Sequence, residues 1–132
     1  MSLTLRVRTP EGLAFDGPVD AIRAEDADGW FGILPGRRDV VAVLPPGLLL
    51  FEDAEGDGFV ALSGGLLELT RDRCRVVVRE ARVAREAEAA ADALDTLIEA
   101  RRARIEHRRG VMEDLEREAL RRLARALEEA QR

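Results

Sequence analysis

The sequence has few of the residues that build metal centres and covalent cross-links. It contains one cysteine, Cys74, and one histidine, His107. A single cysteine excludes an intramolecular disulfide and cannot form a zinc site by itself, and a single histidine excludes a multi-histidine metal site within one chain. We expect Cys74 to be a small core residue and His107 to lie on a helix surface. The sequence therefore predicts no metal site.

Long apolar runs and an N-terminal targeting signal are also missing from the 132 residues. Without a run of 18 or more apolar residues we expect no membrane-spanning helix, and without a signal we expect a cytoplasmic protein. Lysine is absent as well, so all 21 basic residues are arginine, which we interpret as a genomic bias. The net charge of −5 argues against general nucleic-acid binding.

Composition divides the chain into two parts. All five prolines and ten of the eleven glycines lie before residue 66, and after about residue 80 the chain consists mainly of Ala, Glu, Arg and Leu. Residues 1–81 carry 9 arginines against 14 acidic residues, whereas residues 82–132 carry 12 of each. We therefore predict a β domain over residues 1–81 and a helical domain over residues 82–132.

The first part alternates short apolar segments with turns rich in Gly, Pro and Asp. This spacing is typical of antiparallel strands, and it predicts nine or ten short strands in an all-β sandwich or flattened barrel. One expected stop is the turn at residues 16–18, Asp-Gly-Pro. The predicted strands include residues 3–9, 13–15, 19–25, 30–34, 40–44, 48–51, 59–62, 66–69 and 74–79.

Residues 28–47 are the most densely punctuated stretch, reading DGWFGILPGRRDVVAVLPPG. Seven of the sixteen glycines and prolines lie here, with apolar runs between them. Glycine allows positive φ and proline restricts φ to about −65°, so turns are forced at set places. The apolar pair Trp30 and Phe31 lies near the paired charges Arg37 and Arg38, which indicates either core and turn or a docking edge.

The second part has the composition and period of a helix. Apolar side chains recur at three-, four- and seven-residue steps, which indicates one apolar stripe. Gly110 is the only interruption, so the segment forms either a helical hairpin or one continuous extended helix. Residues of the stripe are Leu94, Leu97, Ile98, Ile105, Met112 and Leu115, and the expected i,i+4 ion pairs are Glu113–Arg117 and Glu118–Arg122.

Three clusters contain residue types found in catalytic or ligand-binding sites. Ser63-Gly64-Gly65 lacks the context of a catalytic serine, and we interpret it as a turn. Asp53, Glu55 and Asp57 alternate as in a calcium loop but lack its helix–loop–helix setting, so we expect a solvated hairpin tip. An arginine cluster predicts either a solvated helix face or a latch onto an acidic partner or nucleotide phosphate. It comprises Arg101, Arg102, Arg104, Arg108 and Arg109. We predict that the protein is not an enzyme.

Two segments together resemble the epsilon subunit of rotary F-type ATP synthases. Residues 28–47 resemble its acidic-Gly-x-φ-Gly-Ile-φ-Pro-Gly signature, where φ is apolar, followed by an apolar run and Pro-Gly. Residues 59–68 resemble its second signature, a strand leading into Ser-Gly-Gly-φ-φ-Glu. Where the family commonly has His-Ala-Pro, this chain has Arg37-Arg38-Asp39, which is similar to the alternate ATPases suspected of sodium coupling.

The resemblance implies a non-catalytic rotor subunit on the cytoplasmic face of the bacterial inner membrane. Its sandwich would bind the gamma subunit and the c-subunit ring, and its C-terminal helices would fold back or extend toward the alpha and beta subunits and block hydrolysis. The c-ring-facing loop would be Asp28, Gly29, Trp30 and Phe31, where many members have a charged residue at the Trp30 position. The gamma-facing residues would be Pro35, Gly36, Arg37, Arg38, Val40 and Val41.

Some members of that family bind ATP as a regulatory ligand between their C-terminal helices. Here Ile98, Glu99, Arg102 and Arg109 fit the pattern with Glu for Asp, but about ten residues later than usual, so no cofactor is expected. The alternative hypothesis is a β-sandwich adaptor whose arm forms a coiled coil through the seven-residue spacing of Ile98, Ile105 and Met112.

Overall fold

A computed structural model describes residues 2–131, which form ten β-strands followed by one α-helix. The number of strands agrees with the prediction of nine or ten. The elements are β1 (Leu3–Thr9), β2 (Gly12–Val19), β3 (Ala21–Asp26), β4 (Gly29–Ile33), β5 (Val40–Leu44), β6 (Gly47–Asp53), β7 (Gly56–Leu62), β8 (Gly65–Thr70), β9 (Arg73–Val78), β10 (Ala81–Ala84) and α1 (Ala87–Ala130).

The strands form two five-stranded sheets. Sheet 1 has the order β2-β1-β9-β8-β5, and sheet 2 has the order β10-β7-β6-β3-β4. Apolar side chains from the inner faces of both sheets make one buried cluster, so the predicted β-sandwich is confirmed. Strands β4 and β5 are the last strands of their sheets, and the loop of residues 34–39 joins them across the sandwich.

The prediction of purely antiparallel pairing was wrong at one place. Strand β1 pairs in parallel with β9, with Leu5 opposite Cys74 and Val7 opposite Val76. Antiparallel direction is imposed by tight turns between consecutive strands, but seven strands separate β1 from β9 along the chain. Their relative direction was therefore not readable from local turn signals.

The predicted stop at residues 16–18 was also wrong. Strand β2 continues to Val19, with Pro18 opposite Thr4 of β1. Proline cannot donate a backbone hydrogen bond, but β2 is an edge strand and has a partner on one side only. Strand β3 consequently begins at Ala21 instead of at residue 19.

Strand β10 was not predicted. It pairs with β7, with Ala81 opposite Leu62, and therefore continues sheet 2 past the predicted domain boundary after residue 81. The described chain divides into two compact units, one ending at Ile98 and one beginning at Glu99. The predicted division into a β domain over residues 1–81 and a helical domain over residues 82–132 stays a prediction.

The sandwich core follows from strict alternation along the strands. In β9, Cys74, Val76 and Val78 are buried, whereas Arg73, Arg75 and Val77 are exposed. The same period in β1 buries Leu3, Leu5 and Val7. Each such side chain contributes about 1.5–3 kcal/mol when fully buried.

Helix α1 passes through Gly110 without a break. Of the two predicted alternatives, the structure therefore has the continuous helix and not the hairpin. Within the first unit, Ala90 and Leu97 of α1 are buried. In the second unit the apolar stripe is exposed, and the expected pair Glu118–Arg122 forms at 3.3 Å. Arg117 pairs with Asp114 at 4.0 Å instead of with Glu113. Exposed apolar residues of this unit are Ile105, Val111, Met112, Leu115, Leu120, Leu123 and Leu127.

Candidate docking surfaces

The β3–β4 hairpin presents one large apolar side chain to solvent. Its turn is made by Ala27 and Asp28, with the Asp28 amide donating to Asp26 Oδ1 at 2.8 Å. Gly29 has φ of 121°, a value that only glycine adopts readily. Trp30 follows at the start of β4 and is 56% exposed. The hairpin therefore holds an unburied tryptophan next to a rigid turn.

Phe31 has a different environment from Trp30, although both belong to the predicted c-ring-facing set. Because successive strand residues face opposite sides, Phe31 is partly buried and packs against the core. The Arg37 guanidinium lies 5.9 Å from its ring centroid, which is a cation–π geometry. Phe31 is therefore a packing residue, and Trp30 is the one that a partner can reach.

The loop of residues 34–39 begins with a tight turn at Pro35 and Gly36. The Arg37 amide donates to Leu34 O at 3.2 Å, and Gly36 has φ of 86°, as the third position of a type II turn requires. Arg37 Nε donates to Gly32 O at 2.9 Å. The Arg37 side chain is thus tied to β4, whereas Arg38 is exposed.

Two aspartates join this loop to the β8–β9 turn. Asp72 Oδ1 accepts from the Gly36 amide at 2.7 Å, and Asp39 Oδ1 accepts from the Arg71 amide at 3.1 Å. Arg71 and Asp72 both have positive φ, 48° and 61°, although neither is glycine. This turn conformation is strained for such residues, and the two carboxylates stabilise it. Asp39, which departs from the common family pattern, therefore has a structural role here.

A patch of exposed apolar side chains lies on the outer face of sheet 1. We name it the outer strip, and it consists of Val41, Val43, Leu66 and Val77, which are 67%, 72%, 45% and 57% exposed. Val43 lies opposite Leu66, and Leu66 lies opposite Val77, so three strands contribute adjacent side chains. Contiguous apolar surface of this kind marks interaction sites.

Only part of the outer strip could be found from the sequence. Val40 and Val41 were both predicted to face gamma, but Val40 packs against the core and Val41 faces outward. Val43, Leu66 and Val77 were missed. Strand β5 is apolar on both faces, so alternation alone does not say which side is buried. Leu66 and Val77 are single apolar residues on outward faces that otherwise carry polar side chains, so no pattern within their own strands indicated a patch.

The residues proposed for ATP lie on the single helix α1. Ile98 is half-buried, and Glu99, Arg102 and Arg109 are exposed. At about 100° per residue they fall within roughly a third of the helix circumference. A site between two helices would need a second helix beside this face. Residues 2–131 contain a single helix, α1. The nucleotide role stays a prediction, as do the roles assigned to the c-ring-facing and gamma-facing residues.

The β6–β7 hairpin tip is bound by an arginine from the segment between β10 and α1. Arg85 donates to both Asp53 carboxylate oxygens, at 2.8 and 2.9 Å, and lies 3.3 Å from Glu55 Oε2. Its guanidinium is also 5.2 Å from the Phe51 ring centroid. The paired hydrogen bonds lower the pKa of Asp53 and raise the pKa of Arg85. We call this arrangement the Arg85 bridge.

The Arg85 bridge gives two of the three alternating acids at this tip a partner that is not a metal ion. Asp53 and Glu55, two of the three acids compared with a calcium loop, have a guanidinium partner. Over residues 2–131, no group of three or more His, Cys, Asp or Glu side chains is arranged to hold a metal ion.

Ser63 and Cys74 are structural. Ser63 Oγ accepts from the Glu80 amide at 3.0 Å and donates to Glu80 O at 3.3 Å, which joins the β7–β8 turn to the segment before β10. Burial raises the pKa of the Cys74 thiol to about 12, so it stays protonated and unreactive at neutral pH. His107 is exposed on α1, as predicted.

Comparison with known proteins assigns the family. The protein-family model described as ATP synthase, Delta/Epsilon chain, beta-sandwich domain matches residues 2–84 of this chain. The chain is 43% identical to ATP synthase epsilon chain 2 of Cereibacter sphaeroides, with 98% of this chain and 91% of that protein aligned. It is 40% identical to the ATP synthase epsilon chain of Synechococcus sp. (strain WH7803), over 61% of this chain and 60% of that protein.

One solved structure supports the same assignment. A chain in the cryo-EM structure of the Euglena gracilis mitochondrial ATP synthase, OSCP/F1/c-ring in rotational state 1, superposes with a TM-score of 0.58 and 25% identity. The superposition covers 72% of this chain and 62% of that one. These matches confirm the resemblance carried by residues 28–47 and 59–68. The chain therefore belongs to the ATP synthase delta/epsilon family, whose epsilon chain is a non-catalytic subunit of the enzyme.

Proposed function

We propose that this chain is the central-stalk subunit that joins the gamma subunit to the c-subunit ring of a rotary F-type ATP synthase, with a helical arm that restrains ATP hydrolysis. The family and the relatives named epsilon chain support the stalk assignment. The observation that carries the gamma contact is the outer strip, four exposed apolar side chains on three neighbouring strands of sheet 1.

The outer strip fits a packed protein partner. Val43 and Val41 are more than two-thirds exposed on the edge strand β5, and Leu66 and Val77 extend the surface across β8 and β9. Burying such side chains contributes about 1.5–3 kcal/mol each when complete, less the cost of association. The loop at Pro35–Gly36 leads directly into β5, so Arg38 and the strip belong to one continuous surface facing gamma.

The c-ring contact is assigned to the other end of β4. Trp30 lies next to the β3–β4 turn, whereas the loop of residues 34–39 follows the opposite end of the strand. At about 3.3 Å per residue, four residues separate the two ends by roughly 13 Å. Asp28, Gly29 and Trp30 can therefore contact one partner while residues 35–38 contact another.

The arm is assigned to the alpha and beta catalytic subunits. Met112, Leu115, Leu120 and Leu123 are each more than half exposed on α1. Apolar side chains at helical spacing on an unburied helix are the usual anchors for docking into a groove. ATP is a second, weaker ligand assignment for Ile98, Glu99, Arg102 and Arg109, and it requires that the helix fold back on itself.

The proposed location is peripheral, on the cytoplasmic face of a bacterial inner membrane. Within residues 2–131, α1 is too polar to cross a bilayer. Membrane association would therefore come through the c ring.

Binding to purified gamma tests the proposal. We expect the two proteins to co-elute in size exclusion at micromolar concentration, and we expect Val41→Asp with Val43→Asp to abolish the complex because a charged strip cannot be desolvated. Trp30→Asp, on sheet 2 and 56% exposed, is the control, because the proposal assigns Trp30 to a different partner. Separate elution of the wild-type proteins would contradict the proposal.

The adaptor hypothesis makes a different prediction for the isolated chain. Ile105 and Met112 are exposed at a seven-residue spacing, which a parallel coiled coil would bury. Sedimentation equilibrium separates the two, because a stalk subunit is expected to be monomeric without gamma. A stable dimer lost on Ile105→Asp would favour the adaptor.

A further inference from the structure

Four arginines line an open cleft on the outer face of sheet 1. The cleft has a volume of about 890 Å³ and is lined by Arg6, Arg71, Arg73 and Arg75, with hydroxyls from Thr4 and Thr70. The cleft is locally basic in a chain whose net charge is −5.

Strand register brings these side chains together. Thr4 of β1 lies opposite Arg73 of β9, and Arg6 lies opposite Arg75. On the other side of β9, Thr70 lies opposite Arg73. Arg71 comes from the strained β8–β9 turn that Asp39 and Asp72 hold in place. The basic groups thus lie on rigid elements.

Two of the four arginines have no acidic partner among the residues that the structure describes. Arg6 pairs with Asp16 at 3.4 Å, and Arg75 is 3.8 Å from Glu68. Among residues 2–131, the guanidinium groups of Arg71 and Arg73 have no carboxylate within 4.0 Å. Asp39, the one acid in the lining, uses an oxygen on the Arg71 backbone amide.

The cleft is continuous with the outer strip. Val41 lies opposite Glu68, and Glu68 lies opposite Arg75, so one lateral row of side chains runs from the strip's strand into the cleft. The next row in one direction is Val43, Leu66 and Val77, and in the other it is Thr70, Arg73 and Thr4. A partner that covers the strip therefore reaches the cleft.

We infer that the arginine cleft binds an acidic segment of the same stalk partner that covers the outer strip. This rests on the proposed function. Guanidinium groups pair carboxylates through two parallel hydrogen bonds, and an apolar strip beside a charged cleft sets the register of a docked protein. Successive outward residues on a strand are about 6.6 Å apart, so the arginines are spread along a segment-sized surface and do not converge on one small anion.

The test is the affinity for purified gamma at several salt concentrations. Arg71→Gln with Arg73→Gln keeps a polar, hydrogen-bonding side chain at both positions and removes the two positive charges. We expect the Kd to rise about 10-fold or more at low ionic strength, with a flatter dependence of Kd on salt. The control is Arg23→Gln on sheet 2, which removes exposed charge from a strand outside the cleft and is expected to change the Kd less than about twofold. Thermal unfolding of each variant establishes that the sandwich is intact, and Arg73→Gln alone serves if the double variant unfolds.

The outcomes distinguish this inference from the proposed function. If wild-type protein binds gamma, and the folded cleft variant binds with the same Kd and salt dependence, the cleft inference is overturned and the stalk assignment stands. If wild-type protein does not bind gamma, both are overturned. An NMR titration with inorganic phosphate tests whether the cleft binds a small anion instead of an acidic protein segment. Saturable shifts at Arg71 and Arg73 with gamma affinity unchanged in the variant would assign the cleft to a small anion and overturn the inference.

Discussion

The sandwich and the distal part of the helix use the same apolar residue types in opposite ways. In the sandwich Leu3, Leu5 and Leu67 are fully buried, whereas Leu115, Leu120 and Leu123 of the helix are each more than half exposed. The sandwich is thus held together by its own core. The distal helix, taken by itself, carries an apolar stripe that a single helix cannot bury, which is a property expected of a segment that docks against another surface.

The contrast predicts that replacing a leucine by alanine lowers the free energy of unfolding far more in the sandwich than in the distal helix. This is the largest of the expected effects. Leu67→Ala removes a fully buried side chain and should lower the free energy of unfolding by about 2–5 kcal/mol. Leu123→Ala, at a site 56% exposed, should change it by less than about 0.5 kcal/mol. Urea unfolding followed by circular dichroism measures both. Equal losses would mean that the distal helix packs against the sandwich in solution.

The same substitution, glycine to alanine, should have opposite effects on stability in the sandwich and in the helix. A β-carbon at Gly58 would overlap the ring of Phe51, so Gly58→Ala should destabilise the sandwich by about 1–3 kcal/mol. Gly110 lies in α1 with open space around the position of a β-carbon. Gly110→Ala should therefore raise helix stability by about 0.5–1 kcal/mol. A lower helix content in Gly110→Ala, by circular dichroism, would indicate that the glycine serves a bend.

The Arg85 bridge predicts a pH dependence confined to acid. Because Arg85 lowers the pKa of Asp53 below its usual 3.8, the bridge stabilises the folded chain fully above that value. The stabilisation is lost as the pH falls through the lowered pKa. The urea unfolding midpoints of wild type and Asp53→Asn should therefore differ at pH 7. The two midpoints should become equal only at the acid end of a series from pH 7 to pH 2.5. Asp57→Asn is the control, and a constant difference over the whole range would exclude the bridge.

Removal of the distal helix should have the smallest effect on the sandwich. Truncation after Ile98 retains the buried residues Ala90 and Leu97, so the unfolding of the sandwich should change by less than about 0.5 kcal/mol. In the assembled enzyme the same truncation should leave gamma binding intact and raise ATPase activity several-fold if the arm restrains hydrolysis. Unchanged ATPase activity would make the arm structural.

Local patterns were sufficient where a segment has one buried face. The alternation in β1 and the helical period from residue 94 onward each identified the element and its buried or apolar side. Segments 28–47 and 59–68 identified the family, because glycine and proline mark turns whatever the rest of the chain does. Pro18 misled because a proline is compatible with a strand when that strand lies at an edge, and edge position is a property of the sheet.

The sequence by itself determined that this chain has a punctuated β part and a helical part, and which family it belongs to. Tertiary structure alone decided the parallel β1–β9 pair, the exposure of Val41 and Val43 in contrast to Val40, the Arg85 bridge and the arginine cleft. The reason is that each of these depends on contacts between residues distant along the chain. Arg6 and Arg75 are neighbours only because two strands far apart in sequence pair side by side, and that pairing is set by the packing of both sheets over one core.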